Sequence, residues 1–585
     1  MNKEWSLDVL YKGFDDVKYK EDRERLETLT QEVIVFSNSL TSGAVEEEAT
    51  LLQAVDYLEQ YQLLGTKLSY YVQLRQSVNT SDSVTVNEMN AIERISSLSS
   101  KPMAVIQKFI AGIENMDTYL NKYPKLKEYE YLFSEMKKEA KHLLSDDVEE
   151  AIAKLNISAG SAWGSMQSFL TSTLEVEYRD NTITLPEVRN KAHDEDVEVR
   201  KDAYAAELKA YEKIKDAVSY SLNNIKTQVN TICELRGYES PLDMTLMQAK
   251  MKRETLDAML EAIREALPSF HKYLRHKAKI MGHSNGLPWY DMFAPIGESN
   301  TKFTTEESKA YLVKHFRGFA DDLADMVEEA YDNEWIDFFP RKGKVGGAFC
   351  ENMPFVKQSR ILSNFTGALN DVVTLAHELG HAYHGLNIQE HLPLNVNYSM
   401  PVAETASTFN EALIMEAAIN ETEGREKIAL IESQLQDVTQ IICDIYSRFL
   451  FESAVFEKSK TGFLFADELK EMMLAAQKEA YGDGLDHDYL HPYMWVLKGH
   501  YYSENLSFYN FPYAFGGLFA RGLYEKYKVE GEAFVPKYRA LLNATTIMSV
   551  EDAAKQAEIN LEDPQFWRTS LRTIEDLIED FVRLA

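Results

Sequence analysis

The sequence has few of the residues that form turns and cross-links. Glycine and proline number 26 and 15 among 585 residues, which is about 7% of the chain against a usual share of roughly 12%. So few turn residues over such a length predict long helices. The three cysteines are Cys233, Cys350 and Cys443. This odd, widely spaced set excludes a disulfide framework and is typical of a reducing compartment, so we expect a cytoplasmic protein.

Positive charge and long apolar runs are also scarce. The chain has 62 basic against 93 acidic residues and a formal net charge of −31. That balance argues against binding to nucleic acid or to an anionic membrane surface. The sequence contains no run of about 18 apolar residues, so no membrane span is expected. The first residues do not resemble a signal peptide. The pattern does not determine the oligomeric state.

Hydrophobic residues make up 45% of the chain and follow helical spacing over long stretches. Residues 194–236 predict one or two long helices that end before Gly237. Another helical pattern runs from Leu256 to Leu267 and is expected to stop at Pro268. We predict a mainly α fold. Its best candidate division is near residue 190, with an N-terminal helical region over 1–190 and a catalytic region over 191–585.

One short stretch, HELGHAYHG at 377–385, concentrates chemistry. His377 and His381 are four residues apart, so on a helix they share one face and could reach one metal ion. With Glu378 between them they form the HExxH pattern, which binds zinc through the histidines and uses the glutamate as general base. The surrounding residues are strongly apolar, and burying unpaired imidazoles is costly. A bound metal is therefore favoured over a structural role.

Catalytic zinc usually takes three protein ligands. His384 is an unsuitable third ligand, because seven helical residues separate it from His377 by about 10.5 Å. Residues 400–413 (MPVAETASTFNEAL) predict a second helix that carries Glu404 and Glu411 on one face. One of these glutamates is expected to bind the metal and the other to hydrogen-bond a ligand histidine. Spacing alone does not decide between them.

Three other segments differ from the helical background. SRIL at 359–362 has the pattern of a strand, and RKGKVGGAFC at 341–350 predicts a strand or ribbon whose edge could pair with an extended peptide. The third segment, GHYYSENLSFYNFPYAFGG at 499–517, is rich in tyrosine. Tyrosine and histidine donate hydrogen bonds to an oxyanion, but on composition alone aromatic packing is the better explanation of this segment.

HELGHAYHG, followed by Glu404 in ETAS, resembles the oligoendopeptidase F group of the thimet-oligopeptidase-like zinc metallopeptidases. The opening WSLDVLYKGFDD, the segments RKGKVGGAF and NFTGALNDVVTLAHELGH, and the histidine–tyrosine segment near 500–516 are similar to that group too. The resemblance covers most of the chain. It implies a large, mainly helical zincin-type peptidase with a small β ribbon or sheet beside the HExxH helix and a deep central channel.

The resemblance also implies roles for particular residues. His377, His381 and Glu404 correspond to the ligands of one Zn(II) ion, and Glu378 corresponds to the base. His500, Tyr509 and Tyr513 fall in the segment that stabilises the oxyanion and orients substrate: this chain reads FYNFPYAFG where many members read FYVYQYATG, so which tyrosine donates to the oxyanion stays open.

We therefore expect a zinc-dependent oligopeptidase that hydrolyses internal bonds of short peptides and excludes folded proteins. An exo-acting, carboxypeptidase-like peptidase of the same fold is one alternative. A zinc hydrolase with non-peptide substrates and a non-catalytic peptide-binding protein are two others, and the intact Glu378 argues against the last.

Overall fold

The fold is described from a computed structural model, which covers residues 3–42, 46–297 and 301–585. It is mainly helical, so the predicted fold class is confirmed. The first helices are α1 (Val17–Ser42), α2 (Glu47–Val78), α3 (Ser83–Ala111), α4 (Met116–Lys122), α5 (Pro124–Glu128), α6 (Glu130–Ala140), α7 (Asp146–Asn156) and α8 (Gly160–Ser172). An antiparallel hairpin of β1 (Glu175–Tyr178) and β2 (Asn181–Thr184) follows them.

The middle of the chain continues with α9 (Leu185–Asn190), α10 (Val197–Tyr211), α11 (Lys215–Arg236), α12 (Pro241–Gln248), α13 (Arg253–Ile280), α14 (Thr305–Arg317) and α15 (Asp321–Asp332). The prediction of one or two long helices over 194–236 is confirmed, and the structure has two. The expected stop at Pro268 is wrong, because α13 runs through it. Buried residues on both sides of the proline, such as Leu267 and Phe270, offset the backbone hydrogen bond that proline removes.

A small three-stranded sheet interrupts the helices before the HELGH motif. Its strands are β3 (Ile336–Asp337), β4 (Phe349–Met353) and β5 (Gln358–Leu362). The order is β3–β5–β4, with β3 parallel and β4 antiparallel to β5, so β4 lies at an edge. The strand predicted over 341–350 is therefore correct only from Phe349. Residues 341–348 form a loop in which Gly343 and Gly347 have φ values of 89° and 77°, a conformation that favours glycine.

The remaining helices carry most of the candidate site. They are α16 (Leu369–Ile388), α17 (Met400–Ala403), α18 (Thr405–Glu421), α19 (Gly424–Thr439), α20 (Ile445–Ser459), α21 (Ala466–Tyr481), α22 (Met494–Leu497), α23 (Phe511–Glu530), α24 (Phe534–Ala544), α25 (Val550–Lys555) and α26 (Pro564–Leu584). Within the described residues, none of the helices is long and apolar enough to cross a membrane.

The buried apolar side chains form one large core and two smaller ones. The large core contains residues from Leu174 to Phe581 and includes the apolar side of α16. The smaller cores lie among α1, α2, α3 and α6 and are each completed by residues from the second half of the chain, such as Leu394 in one and Met353 in the other. The N-terminal helices thus pack against the region around the sheet. The division of the chain at residue 190 stays a prediction.

Asp337, at the end of β3, anchors the glycine-containing loop to the sheet. Its carboxylate accepts two hydrogen bonds from the Arg341 guanidinium, at 2.6 and 2.9 Å, and one from Lys344 Nζ at 2.6 Å. Lys344 also donates to the carbonyl oxygens of Asp337, Phe339 and Ser363. The side chains of Asp337 and Lys344 are 1% and 0% exposed. Water therefore solvates neither charge, and each is stabilised by its partners in the protein.

We predict that Asp337→Ala destabilises the fold, because it leaves two cations around a buried position without a counter-charge. Removing one partner of a buried ion pair costs about 3–5 kcal/mol. The midpoint of urea unfolding, followed by circular dichroism, should fall accordingly. Asp325→Ala is the matched control, since that aspartate pairs with Arg317 on the exposed surface. Equal midpoints for the two variants would contradict the anchoring role of Asp337.

Candidate metal centre

The first turn of the HELGH helix, α16, contains an aspartate that holds the preceding turn. The carboxylate of Asp371 accepts hydrogen bonds from the backbone of Thr366 at 2.7 Å and of Ala368 at 3.0 Å. It thereby pairs the N–H group of the residue that caps the helix and one in the turn before it. From this start α16 runs beneath β4, where Asn352 Nδ2 donates to the carbonyl oxygen of His381 at 3.0 Å.

Gly380, inside the motif, allows α18 to approach α16 very closely. A Cβ atom at position 380 would lie 2.5 Å from the carbonyl oxygen of Ala406 and from Cα of Ser407. Any side chain would therefore push the two helices apart. Asn410 supports the same contact, because its Nδ2 donates to the carbonyl oxygen of Ala376 at 3.2 Å. The close contact places the start of α18 beside the two histidines.

The single helix predicted over 400–413 is wrong in one respect, because it breaks at Glu404. Helix α17 ends at Ala403 and α18 begins at Thr405, so Glu404 lies between them with φ −91° and ψ 9°. On a continuous helix the carboxylate of Glu404 would lie on the same face as that of Glu411. The break releases it from that orientation. Ser407 Oγ donates to Glu404 Oε2 at 2.7 Å and holds the side chain in place.

Three donor atoms converge at this point. The Nε2 atoms of His377 and His381 are 3.2 Å apart, and Glu404 Oε2 lies 3.3 and 3.4 Å from them. Ligands at zinc bond lengths of about 2.0–2.2 Å in a tetrahedral arrangement are separated by roughly 3.3–3.5 Å. The three atoms therefore fit three corners of a tetrahedral zinc site.

Glu378 also approaches the two histidines, with its carboxylate within 4.8 Å of their ring nitrogens. Glu404 is the nearer carboxylate, so the short distances favour Glu404 rather than Glu378 as the third donor. Glu378 is 5% exposed, and burial raises the pKa of its carboxyl above the usual value although both histidines oppose the shift. A carboxylate of raised pKa beside a metal site is suited to accept a proton.

The charges around the donor atoms favour a cation. Burial opposes protonation of His377, but its hydrogen bond to Glu411 and the nearby carboxylates raise its pKa to about 9. Burial likewise opposes ionisation of Glu404, yet the two histidines and Ser407 lower its pKa to about 2. The same negative potential that favours a proton on His377 favours a metal ion at its Nε2.

Glu411 lies on the far side of His377. Its Oε1 is 2.7 Å from His377 Nδ1. A carboxylate accepts only, so Nδ1 donates and Nε2 is directed toward the other donor atoms. Glu404 and Glu411, which spacing could not distinguish, thus differ clearly in the fold. His384 is separate from this group: it is buried, its Nε2 is 2.8 Å from Thr545 Oγ1, and its ring stacks on Tyr398.

The histidine–tyrosine segment forms an aromatic cluster next to Glu404. The His500 ring centroid lies 4.9 Å from that of Tyr509 and 6.3 Å from that of Tyr513. Burial, a hydrogen bond to Tyr509 and the charge of Glu404 raise the pKa of Tyr513 to about 12. Gly516, one turn further along α23, faces Glu404 closely: a Cβ there would lie 3.0 Å from Glu404 Cβ.

Sequence reasoning missed the residues that orient the donors. Ser407, Asn352 and Gly516 contact Glu404 or the backbone of His381. Ser407 follows Glu404 by three residues, a spacing that allows contact within one helical turn. Asn352 and Gly516 carry no such local signal, because tertiary packing alone brings them to the site.

Comparison with known proteins identifies the family. The model of peptidase family M3 matches residues 191–573, and a model described as oligopeptidase F matches residues 111–175. The chain belongs to peptidase family M3. As a member of this family it is a metalloendopeptidase, a hydrolase that acts on peptides, and the predicted resemblance is confirmed.

Individual members of family M3 extend the match to nearly the whole chain. Oligopeptidase PepF of Bacillus subtilis is 24% identical over 592 residues, which covers 99% of this chain and 87% of the relative. A crystal structure from Chlamydophila abortus superposes with a TM-score of 0.86 at 18% identity and covers 100% and 98% of the two chains. Oligoendopeptidase F from Enterococcus faecium gives a TM-score of 0.71 at 17% identity, with coverage of 97% and 98%. These structures share the fold of this M3 peptidase.

We predict that the two glutamates differ in their effect on metal affinity. Glu404→Ala removes a donor atom and should cause the larger loss. Glu411→Ala leaves the three donor atoms in place and removes the hydrogen bond to His377 Nδ1, a type of change that typically costs about 10–100-fold. Titration in zinc buffers with a competing chelator measures both. Glu416→Ala, on the exposed side of α18 where it pairs with Lys528, is the control. The reverse order of affinities would exchange the two assignments.

Proposed function

We propose that this M3 peptidase is a zinc-dependent oligopeptidase that hydrolyses internal bonds of short peptides. His377, His381 and Glu404 would hold one Zn(II) ion, and Glu378 would act as general base. The observation that carries the proposal is the triangle of donor atoms with sides of 3.2–3.4 Å. Nitrogen and oxygen donors of this kind, three in number, are typical of catalytic zinc sites that keep one position for water.

Zinc, when bound, lowers the pKa of a water molecule and polarises a carbonyl group. The chain itself supplies the proton transfers. The Glu378 carboxylate, close to both histidines and largely buried, would take the proton from the attacking water and then deliver it to the leaving amine nitrogen. Proton transfer by a positioned side chain contributes typically 10²–10⁴-fold to the rate.

The oxyanion would be stabilised by the aromatic cluster. His500, Tyr509 and Tyr513 lie together beside Glu404, so a carbonyl oxygen at the donor triangle would be within their neighbourhood. Their N–H and O–H groups are the donors that such a charge requires. Either tyrosine could make the shorter hydrogen bond, and the proposal leaves that choice open.

The substrate would bind as an extended chain along the sheet. Strand β4 is at the edge of the sheet and also contacts α16 through Asn352. Its outer backbone groups could pair with a peptide as an added strand. The sequence pattern predicted this pairing for the ribbon at 341–350. Because residues 343–347 have no strand conformation, we assign the pairing to β4 instead.

We predict that Glu378→Gln retains zinc but loses nearly all turnover, because an amide cannot accept the proton of the attacking water. The kcat for a quenched fluorescent peptide should fall by about 10²–10⁴-fold, while metal analysis should still find about one zinc per chain. The isosteric glutamine keeps the shape of the side chain. More than a tenth of the wild-type kcat in a zinc-loaded variant would contradict the role of Glu378.

We also predict strong discrimination by substrate length. The proposed deep channel, whose walls would be the helices around the site, admits an extended peptide but not a folded domain. Mass spectrometry of products from a quenched peptide, the same bond in a native protein and the same bond in a reduced, unfolded long chain tests this directly. Only the short peptide should be cut efficiently. Equal rates for peptide and unfolded chain would indicate an open cleft, and products trimmed only from one end would indicate the exo-acting alternative.

A further inference from the structure

The segment that joins His500 to Tyr513 has little regular structure of its own. A single 3₁₀ turn, Gly499–Tyr502, is followed by irregular backbone until α23 begins at Phe511. Residues 503–510 belong to no helix or strand, so most of their backbone groups are not paired by regular structure and the elements that they contact decide their conformation. The placement of the proposed oxyanion donors therefore depends on what holds residues 502–510.

The corner between α7 and α8 provides one of these contacts. Glu504 Oε1 accepts a hydrogen bond from Asn156 Nδ2 at 2.7 Å and lies 3.3 Å from Ser161 Oγ. Asn156 is itself oriented, because its Oδ1 accepts from Gln228 Nε2 at 2.7 Å. The amide nitrogen of Asn156 is thus directed at Glu504 rather than free to rotate.

Two glycines of α8 allow the segment to approach this corner. A Cβ atom at Gly160 would lie 2.6 Å from Cβ of Glu504, and one at Gly164 would lie 2.6 Å from the carbonyl oxygen of Tyr502. Gln167, on the same side of α8, donates to the carbonyl oxygen of Val496 at 2.8 Å. Three consecutive turns of α8 thus contact the chain on both sides of His500.

Phe508, immediately before Tyr509, has an unusual backbone conformation. Its φ is +53°, a region that costs a residue with a side chain roughly 1–2 kcal/mol. Its ring is 3% exposed and packs on Phe449 and Phe456. Such a conformation persists only when the surroundings impose it. The contacts on either side of Phe508 therefore set the direction in which Tyr509 leaves the turn.

We propose that Glu504 is a positioning residue for catalysis: held by Asn156 and Ser161, it ties the His500–Tyr513 segment to α7 and α8 and so keeps the tyrosine hydroxyls beside the donor triangle. Asn156 and Ser161 belong to helices that lie before residue 190. The N-terminal region would thus act directly on the rate of the reaction. This inference rests on the proposed function, since it concerns the tyrosines that would stabilise the oxyanion.

The test compares Glu504→Ala with Glu504→Gln in the zinc-loaded enzyme. Small displacements of a catalytic group cost up to about 10²-fold, so kcat of Glu504→Ala should fall by about 10–100-fold with KM, zinc content and thermal midpoint unchanged. Glu504→Gln should stay within about 3-fold of wild type, because its amide oxygen still accepts from Asn156. Glu150→Ala, on the exposed side of α7 where it pairs with Lys154, is the matched control.

A double-mutant cycle separates positioning from a general loss of structure. In a background with Tyr509→Phe and Tyr513→Phe, the hydroxyls that Glu504 would place are absent. Adding Glu504→Ala there should lower kcat by no more than about 2-fold, because coupled residues are not additive. Gly164→Ala, which pushes on the carbonyl oxygen of Tyr502, should reproduce the kcat loss independently of the Glu504 side chain.

Three results would overturn the proposal: a wild-type kcat in Glu504→Ala, a loss of kcat accompanied by lower zinc content or thermal midpoint, or full additivity with the tyrosine variants. Failure of the proposed function gives a different result. In that case the wild-type enzyme itself shows no zinc-dependent peptide hydrolysis, and the inference about Glu504 falls with it.

Discussion

The site depends on one close contact between two helices. At Gly380 the backbone of α16 meets that of α18 with no room for a side chain, and this contact brings Glu404 to the two histidines. Close-packed interiors do not adjust to added volume without backbone shifts. A displacement of even 1 Å would open the triangle of donor atoms beyond the separations that zinc requires. Gly380, the fourth residue of the HELGH motif, is therefore as important to the geometry of the site as the two histidines.

The elements on the other side of α16 support the same geometry. Asn352 on β4 bonds to the backbone of His381, and the sheet is held by the buried Asp337 with its two cations. In a chain with a net charge of −31, these buried ion pairs hold the loop at 341–348 against the sheet. The helix is thus fixed by packing on one face and by polar contacts on the other.

Some features of the site follow from local spacing alone. His377 and His381 lie on one face of the helix because they are four residues apart, which is about one helical turn. The scarcity of turn residues predicted the mainly α fold. The strand-like pattern of SRIL at 359–362 predicted β5. The helix stop at Pro268 was expected on the same local grounds and is absent, because the buried faces of α13 outweigh the local preference of proline. Local rules hold where tertiary packing does not oppose them.

The choice between Glu404 and Glu411 shows where the sequence stops being sufficient. Both lie downstream at helical spacing, and nothing local separates them. The break at Glu404 turns its carboxylate toward His381, whereas Glu411, within α18, reaches only the far nitrogen of His377. The neighbourhood of His500 and the tyrosines is likewise set by α7, α8 and α20, which are distant in sequence. The sequence by itself determined the motif, the family and the two histidines, and its resemblance to the family singled out Glu404. Only the tertiary structure places Glu404, rather than Glu411, against the Nε2 atoms of both histidines and brings the tyrosines beside it. Those distances depend on contacts between residues far apart in the chain.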